Sequence, residues 1–156
     1  MGLDMYLEVR VFIGGTYRKT NQVIKIPKDE NMFFGSLDLE IPVKMIDTIT
    51  LSTGVWRKAN HIHQYFVDKC GNGDDDCREM SVNEKDLEEL RDLCKKILDD
   101  HTLAPSLLPT QEGFFFGSTE YDEYYFSDLE DTIKIIKKTL KYAEKYGGSI
   151  YYQASW

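Results

Sequence analysis

The chain has 156 residues, a formal net charge of −8 and 42% hydrophobic residues, which fits one domain with a hydrophobic core. No apolar run reaches the roughly 18 residues of a membrane helix, and the first ten residues lack the basic and apolar regions of a signal peptide, so we expect a cytoplasmic protein with no membrane partner. Residues 1–70 have a charge balance of +1 and residues 71–156 one of −9, which disfavours binding to long nucleic acid, because the acidic half repels a polyphosphate backbone.

The first third of the sequence predicts β structure. Apolar and polar residues alternate over residues 3–13, as in a half-buried strand. Gly14-Gly15 is a hairpin signal, so we expect a return strand at Val23–Ile26. A loop at residues 28–36 and a second β region over residues 37–52 follow.

Helical patterns dominate the rest of the chain. Apolar residues at spacings of three and four predict a first helix from Thr53 or Val55 to Cys70. A second helix buries Leu87 to Leu98 and ends near His101. A third begins at a capping box formed by Ser127 and Glu130 and ends before Gly147-Gly148.

Short strands separate and follow these helices. Phe114–Phe116, between two glycines, and residues 78–82 are expected to be short strands. The aromatic ending Ser149–Trp156 is expected to pair with the N-terminal strand. We therefore predict a single-domain α+β fold, with an antiparallel sheet that includes the N- and C-terminal strands and is packed by about three helices.

The start of the predicted first helix is a candidate anion site. Trp56, Arg57 and Lys58 lie in its first turn, where unpaired N–H groups and a partial positive charge favour phosphate or carboxylate. Trp56 could stack on a flat ring. The alternative is that the indole belongs to the core and the two cations are solvated.

Polar side chains continue along this helix. Asn60 and His63 share a row with Trp56 at the margin of the apolar face, so they are candidate ligand contacts. His61 points about 200° away from His63, which excludes a shared metal ion and places it with Arg57 on the wetter side. His63 is the credible general acid or base, although a helical histidine is often structural.

The segment GFFFGSTEYDEYYF, Gly113–Phe126, is the predicted second half of the pocket. Aromatic rings alternate there with hydroxyls and carboxylates, the groups that hold a ribose or amide edge while rings stack on its faces. The alternative is that the tyrosines cover the core. The candidate contacts are Ser118, Thr119, Tyr121, Asp122 and Tyr124.

Other motifs are weak. Asp74, Asp75 and Asp76 lie in a glycine loop that does not match an EF-hand, and solvated carboxylates are the ordinary explanation. The sequence has no phosphate-binding GxxxxGK[ST], no GxGxxG and no GxSxG. We therefore predict no cofactor, no metal and no identified catalytic residue.

Several segments resemble a family of small phage and prophage proteins. The similarity lies in the opening MGLDMY, in WRKAN followed by IH and FV, in Gly73–Cys77, in Leu87–Leu98, in LPT leading into Gly113–Tyr124, and in the ending YYQASW. It spans nearly the whole chain, with departures between Val11 and Thr53. The resemblance implies a phage or prophage setting, but no established activity.

These observations favour a binding protein. The leading hypothesis is a protein that sequesters a small nucleotide-like ligand, such as a host immune signal, between the first helix and the Gly113–Tyr124 segment. A second hypothesis is a hydrolase that uses His63 with Asp122. A third is an acidic protein that mimics nucleic acid and binds a host protein; a homo-oligomer is also possible.

Overall fold

The computed structural model describes residues 2–17, 19–26 and 39–156. The chain divides into two compact units, Met1–Arg10 with Thr50–Trp156, and Val11–Ile49. The strands are β1 (Asp4–Phe12), β2 (Val23–Ile26), β3 (Leu39–Pro42), β4 (Thr48–Arg57), β5 (Met80–Val82) and β6 (Ser149–Ser155). The α-helices are α1 (Asn60–Cys70), α2 (Glu84–Asp99), α3 (Ala104–Leu107) and α4 (Glu123–Tyr146). The predicted loop at residues 28–36 lies outside the described residues.

The predicted α+β fold is confirmed. Strands β4, β1, β6 and β5 form one four-stranded antiparallel sheet in that order. The C-terminal strand β6 pairs with the N-terminal strand β1, with Leu7 opposite Tyr152 and Val9 opposite Ile150. All four of these side chains are buried, so the alternation in the sequence does set which face of the sheet meets the core.

Helices α2 and α4 pack against each other. Their buried residues follow helical spacing. Those of α2 are Leu87, Leu90, Cys94 and Ile97, and those of α4 are Tyr125, Leu129, Thr132, Ile136, Thr139 and Ala143. Among the described residues, no helix has the length and apolarity that crossing a bilayer requires.

Buried threonines tie α4 to the sheet. Thr139 donates a hydrogen bond to Thr53 (2.8 Å), and the Thr53 hydroxyl donates to the carbonyl of Leu7 (3.0 Å). Close approach of the same elements requires Gly54, where a Cβ atom would lie 2.3 Å from Ile135. Helix α4 is therefore fixed against β4, the strand that leads into the candidate site.

The smaller unit corrects the predicted hairpin. Strand β2 does not return along β1, because it pairs antiparallel with β3, with Ile24 opposite Ile41. Gly14 has φ +59°, and Gly15 donates to the carbonyl of Ile46. A Cβ atom at Gly15 would lie 2.1 Å from a carbonyl oxygen, so this glycine permits a close backbone approach rather than a two-residue turn.

Three predicted boundaries are wrong. Helix α1 begins at Asn60, because β4 continues through Arg57. Residues 114–116 form a turn closed by a bond from the N–H of Phe116 to the carbonyl of Gly113, not a strand. Helix α4 begins at Glu123, one turn before the predicted capping box.

Candidate functional site

A pocket of about 280 Å³ lies between the β4–α1 connection and the start of α4. It brings together six of the ten residues singled out from the sequence. Its lining residues are Arg57, Lys58, Asn60, His61, Gly117, Ser118, Glu120, Asp122, Tyr124, Tyr125 and Asp128. Trp56, His63, Thr119 and Tyr121 do not line it.

Trp56 is a core residue on strand β4 rather than a helical stacking platform. Its side chain is 4% exposed, its indole N–H donates to Thr132 Oγ1 (2.9 Å), and its ring packs near Phe66. Because neighbours on a strand point to opposite faces, Arg57 points outward and is 70% exposed. The predicted stacking role of Trp56 is therefore wrong.

Lys58 occupies a strained position in the connection. Its φ is +62°, which an L-residue other than glycine adopts at a cost on the order of 1 kcal/mol. Its N–H donates to the carbonyl of Leu3 (2.8 Å). A Cβ atom at Gly117, where φ is +94°, would lie 2.9 Å from Lys58 Cβ. The two unusual backbone conformations thus meet at the wall of the pocket.

Asn60 uses its side-chain amide to hold residues 111–118 in place, so the amide is not free to bind a ligand. Its amide nitrogen donates to the carbonyls of Phe116 (3.1 Å) and Ser118 (2.9 Å), and its carbonyl oxygen accepts from the N–H of Gln111 (2.9 Å). The side chain is 1% exposed. These bonds explain why residues 111–118 need no strand to be ordered.

His63 lies in the core. Its Nδ1 is 2.7 Å from the hydroxyl of Tyr152, and its Nε2 is 3.0 Å from Asp75 Oδ2. In the neutral ring, Nε2–H donates to the carboxylate and Nδ1 accepts from the tyrosine hydroxyl. Because both nitrogens are occupied and the residue is 1% exposed, His63 is not available as a general base with Asp122.

Asp122 caps helix α4. Its Oδ1 accepts hydrogen bonds from the N–H groups of Tyr124 (3.0 Å) and Tyr125 (3.1 Å), which satisfies two donors at the helix start. The cap places Tyr124, which is 73% exposed, beside the pocket. Asp122 therefore contributes negative charge to the site but already has a structural partner.

Thr119 and Tyr121 secure the connection that precedes α4. The hydroxyl of Thr110 donates to the carbonyl of Thr119 (2.9 Å), and the N–H of Thr110 donates to the hydroxyl of Tyr121 (3.3 Å). The Ser118 hydroxyl accepts from the N–H of Glu120 (3.1 Å). Of these hydroxyl-bearing side chains, only that of Ser118 lines the pocket.

His61 is a pocket residue that the sequence interpretation placed on the wetter side. It is 3% exposed, and its ring lies 4.2 Å from that of Tyr125, centroid to centroid. Burial lowers the pKa of His61 to about 3, so the ring is neutral at pH 7. Its Nε2 is buried and has no hydrogen-bond partner among the described residues.

Asp128 is the other residue that sequence reasoning missed. Burial, with smaller contributions from Asp131 and Asp122, raises its pKa to about 6. No described residue forms an ion pair or a hydrogen bond with its side chain. A carboxylate that is partly desolvated without a counter-charge is costly, and such groups are frequent at functional sites.

The pocket has separate basic and acidic walls. The β4–α1 connection supplies Arg57 and Lys58, and the opposite segment supplies Glu120, Asp122 and Asp128. Arg57 Nε is 3.6 Å from Asp4 at the surface, whereas Lys58 has no carboxylate partner within the described part of the chain. No side chain caps the N-terminus of α1, and the N–H groups of Asn60 and Ile62 donate to the carbonyls of Lys58 (3.0 Å) and Ala59 (3.1 Å). The partial positive charge at this helix start adds to the basic wall.

His61 also lines a second pocket, of about 370 Å³, on the other side of α1. This pocket is bounded by α1, α2 and the Ser106–Pro109 region, and its lining mixes apolar groups such as Leu93 with polar ones such as Gln111. Lys69 and Glu89, which both line it, form an ion pair of 2.7 Å. The one cation that lines this pocket is thus already paired with a carboxylate, whereas Lys58 of the first pocket is not paired within the described part of the chain.

The aspartates of the Gly71–Asp76 loop have protein partners. Arg78 pairs with Asp74 (2.9 Å) and Asp76 (3.4 Å), and Asp75 bonds to His63. Within residues 2–17, 19–26 and 39–156, no group of three or more His, Cys, Asp or Glu side chains could hold a metal ion.

Comparison with known proteins gives no relative. No protein-family model, curated protein or solved structure matches the chain. The resemblance to phage proteins stays a prediction.

Proposed function

We propose that the protein binds a small anionic ligand that carries an aromatic ring, of nucleotide-like class, in the pocket between the β4–α1 connection and the start of α4. The observation that carries the proposal is that Arg57 and Lys58 line the same pocket as Ser118, Asp122 and Tyr124. Its volume of about 280 Å³ is just below the ~300–1,000 Å³ usual for ligand sites, which favours a ligand no larger than a single nucleotide.

The basic wall is the site for the anionic group. Lys58 has no partner of its own among the described residues, and Arg57 has only a surface contact with Asp4 at 3.6 Å. Lysine and arginine bind phosphate oxygens by charge-assisted hydrogen bonds. The start of α1, which no side chain caps, adds the partial positive charge of the helix dipole.

The ring of the ligand lies toward the start of α4. Tyr124 is 73% exposed at the pocket, so its face is free to stack on a base, a contact worth about 1–3 kcal/mol. Tyr125 is buried, packs against His61 and forms the inner wall of the pocket. In the phage setting that the sequence resemblance implies, binding without turnover would sequester a host signal.

Titration calorimetry with GMP, AMP and UMP tests the proposal. Lys58→Asn removes the ammonium while keeping a residue that tolerates positive φ, and we expect it to weaken binding about tenfold. The matched control is Lys137→Asn, an exposed residue of α4 that does not line the pocket, which should bind as wild type does.

Two outcomes contradict the proposal. One is the absence of binding by all three nucleotides at millimolar concentration. The other is unchanged affinity in Lys58→Asn. Mass spectrometry of the nucleotide released by heating adds an independent check, because an altered nucleotide would indicate an enzyme instead of a binding protein.

A further inference from the structure

We infer that Asp128 recognises a pair of adjacent N–H donors on the ring of the ligand, so that the preferred ligand carries a guanine-type edge. This inference deepens the proposed function and depends on it. It names the chemical class of the ring and the side chain that selects it.

The Asp128 carboxylate is available to a ligand. It lines the pocket and lies one helical turn after Tyr124, on the same face of α4. No described residue donates a hydrogen bond to it, and the two cations of the pocket stand on the opposite wall. The carboxylate therefore has free acceptor oxygens beside the ring that Tyr124 would stack on.

A carboxylate has the geometry to accept a pair of adjacent N–H groups. Its two oxygens accept two parallel N–H bonds, as they do from arginine. The Watson–Crick edge of guanine presents such a pair, the ring N–H and the adjacent amino group. Adenine and uracil edges each place a donor beside an acceptor, and an acceptor facing an ionised carboxylate is repelled.

His61 has a ring nitrogen with no hydrogen-bond partner among the described residues. Its ring lines the same pocket and is 3% exposed, with Nε2 unsatisfied. A buried polar atom without a partner costs about 1–3 kcal/mol. His61 borders both pockets, so its unpartnered nitrogen is a second feature beside the Asp128 carboxylate that favours a polar ligand.

The raised pKa of Asp128 agrees with this role. Burial keeps part of the carboxyl neutral near pH 6, because no protein group stabilises the charged form. Two N–H donors from a ligand would stabilise that form. Binding of a guanine edge should therefore be stronger at pH 8, where Asp128 is ionised, than at pH 5.

The test compares GMP with IMP, which differ only in the 2-amino group, by titration calorimetry at pH 8. We expect wild type to bind GMP about tenfold more tightly than IMP, the effect of one hydrogen bond to a charged group. In Asp128→Asn the ratio should fall to about one, because the carboxamide turns a donor toward the N–H pair. Asp131→Asn, which changes an exposed carboxylate that pairs with Lys134, is the matched control and should keep the ratio.

The outcomes separate the two proposals. Equal binding of GMP and IMP by wild type, or a ratio retained in Asp128→Asn, overturns the inference about Asp128 and leaves the proposed function standing. Failure of both nucleotides to bind wild type overturns the proposed function and this inference with it.

Discussion

Asp128 shows how a single side chain at the wall of a pocket can lower stability. A half-buried carboxylate without a counter-charge favours its neutral form, which is why its pKa rises to about 6 from the ordinary 3.8. The unfolded chain ionises at the lower pH. Between these values the folded protein binds more protons, so this group makes stability fall as pH rises.

Asp128→Asn should therefore stabilise the protein above pH 6. We expect a gain of about 1–2 kcal/mol at pH 7.5 after allowing for solvent screening, and almost none at pH 3.5, where the carboxyl is protonated in the folded state and mostly protonated in the unfolded chain. Urea unfolding at the two pH values measures this. Asp92 is a useful contrast, because the hydrogen bond from Arg91 lowers its pKa, so Asp92→Asn should give no gain at pH 7.5.

Individual side chains also show why the sequence identifies only part of the site. Arg57, Lys58 and Tyr124 are recognisable as exposed charges and rings. Asp128 follows Ser127 of the predicted capping box, which would place it at the helix start, whereas the helix is in fact capped by Asp122 one turn earlier. The helical spacing correctly places His61 and His63 on different sides of α1. Both sides are buried, however, and spacing alone does not predict that His61 is buried.

At the scale of elements, the pocket depends on one asparagine. Asn60, the first residue of α1, holds three backbone groups of the facing segment. Without these bonds, two carbonyls and one N–H of an irregular segment would need other partners. The wall opposite Lys58 is therefore positioned by a side chain rather than by sheet or helix pairing.

Asn60→Ala tests this arrangement. Removing a buried side chain that satisfies three backbone groups should cost about 2–4 kcal/mol of unfolding free energy, measured by urea denaturation at pH 7.5. Ser118→Ala is the matched control, since it keeps the Ser118 carbonyl that Asn60 binds and should cost under about 1 kcal/mol. An equal loss in the two variants would contradict the positioning role.

The elements that the sequence predicts correctly are those whose apolar residues recur at a regular spacing. Alternation over residues 3–13 and the stripes of α2 and α4 gave the sheet and the long helices. The predicted start of α1 is wrong because Val55 and Ala59 fit the spacing of a helical apolar stripe. Strand β4 instead runs to Arg57, and the chain turns at Lys58, where φ is +62°. A lysine gives no signal for that conformation, as a glycine would.

Across the whole molecule, cations neutralise part of the acidic half of the sequence locally. Arg78 pairs with two aspartates of its loop, and Lys69 and Lys134 each pair with a carboxylate. Such pairs interrupt the acidic half of the sequence.

The pH dependence of global stability combines opposite effects from two residues of that pocket. His61 has a pKa of about 3 in the folded protein because of burial, against an ordinary value of 6.5. Between these values the unfolded chain binds the extra proton, so this histidine makes stability fall as pH falls. Asp128 acts in the opposite direction between about 3.8 and 6, which partly hides the effect of His61.

His61→Phe should flatten the acid side of the stability curve. The phenyl ring keeps the stacking on Tyr125 and removes the proton-binding nitrogen, so the variant should avoid a loss on the order of 3 kcal/mol between pH 7 and pH 4. Asp128→Asn should steepen the same limb, because it removes the opposing contribution. Urea unfolding across this range compares the variants with wild type, and parallel curves for His61→Phe and wild type would show that His61 is not held neutral by burial.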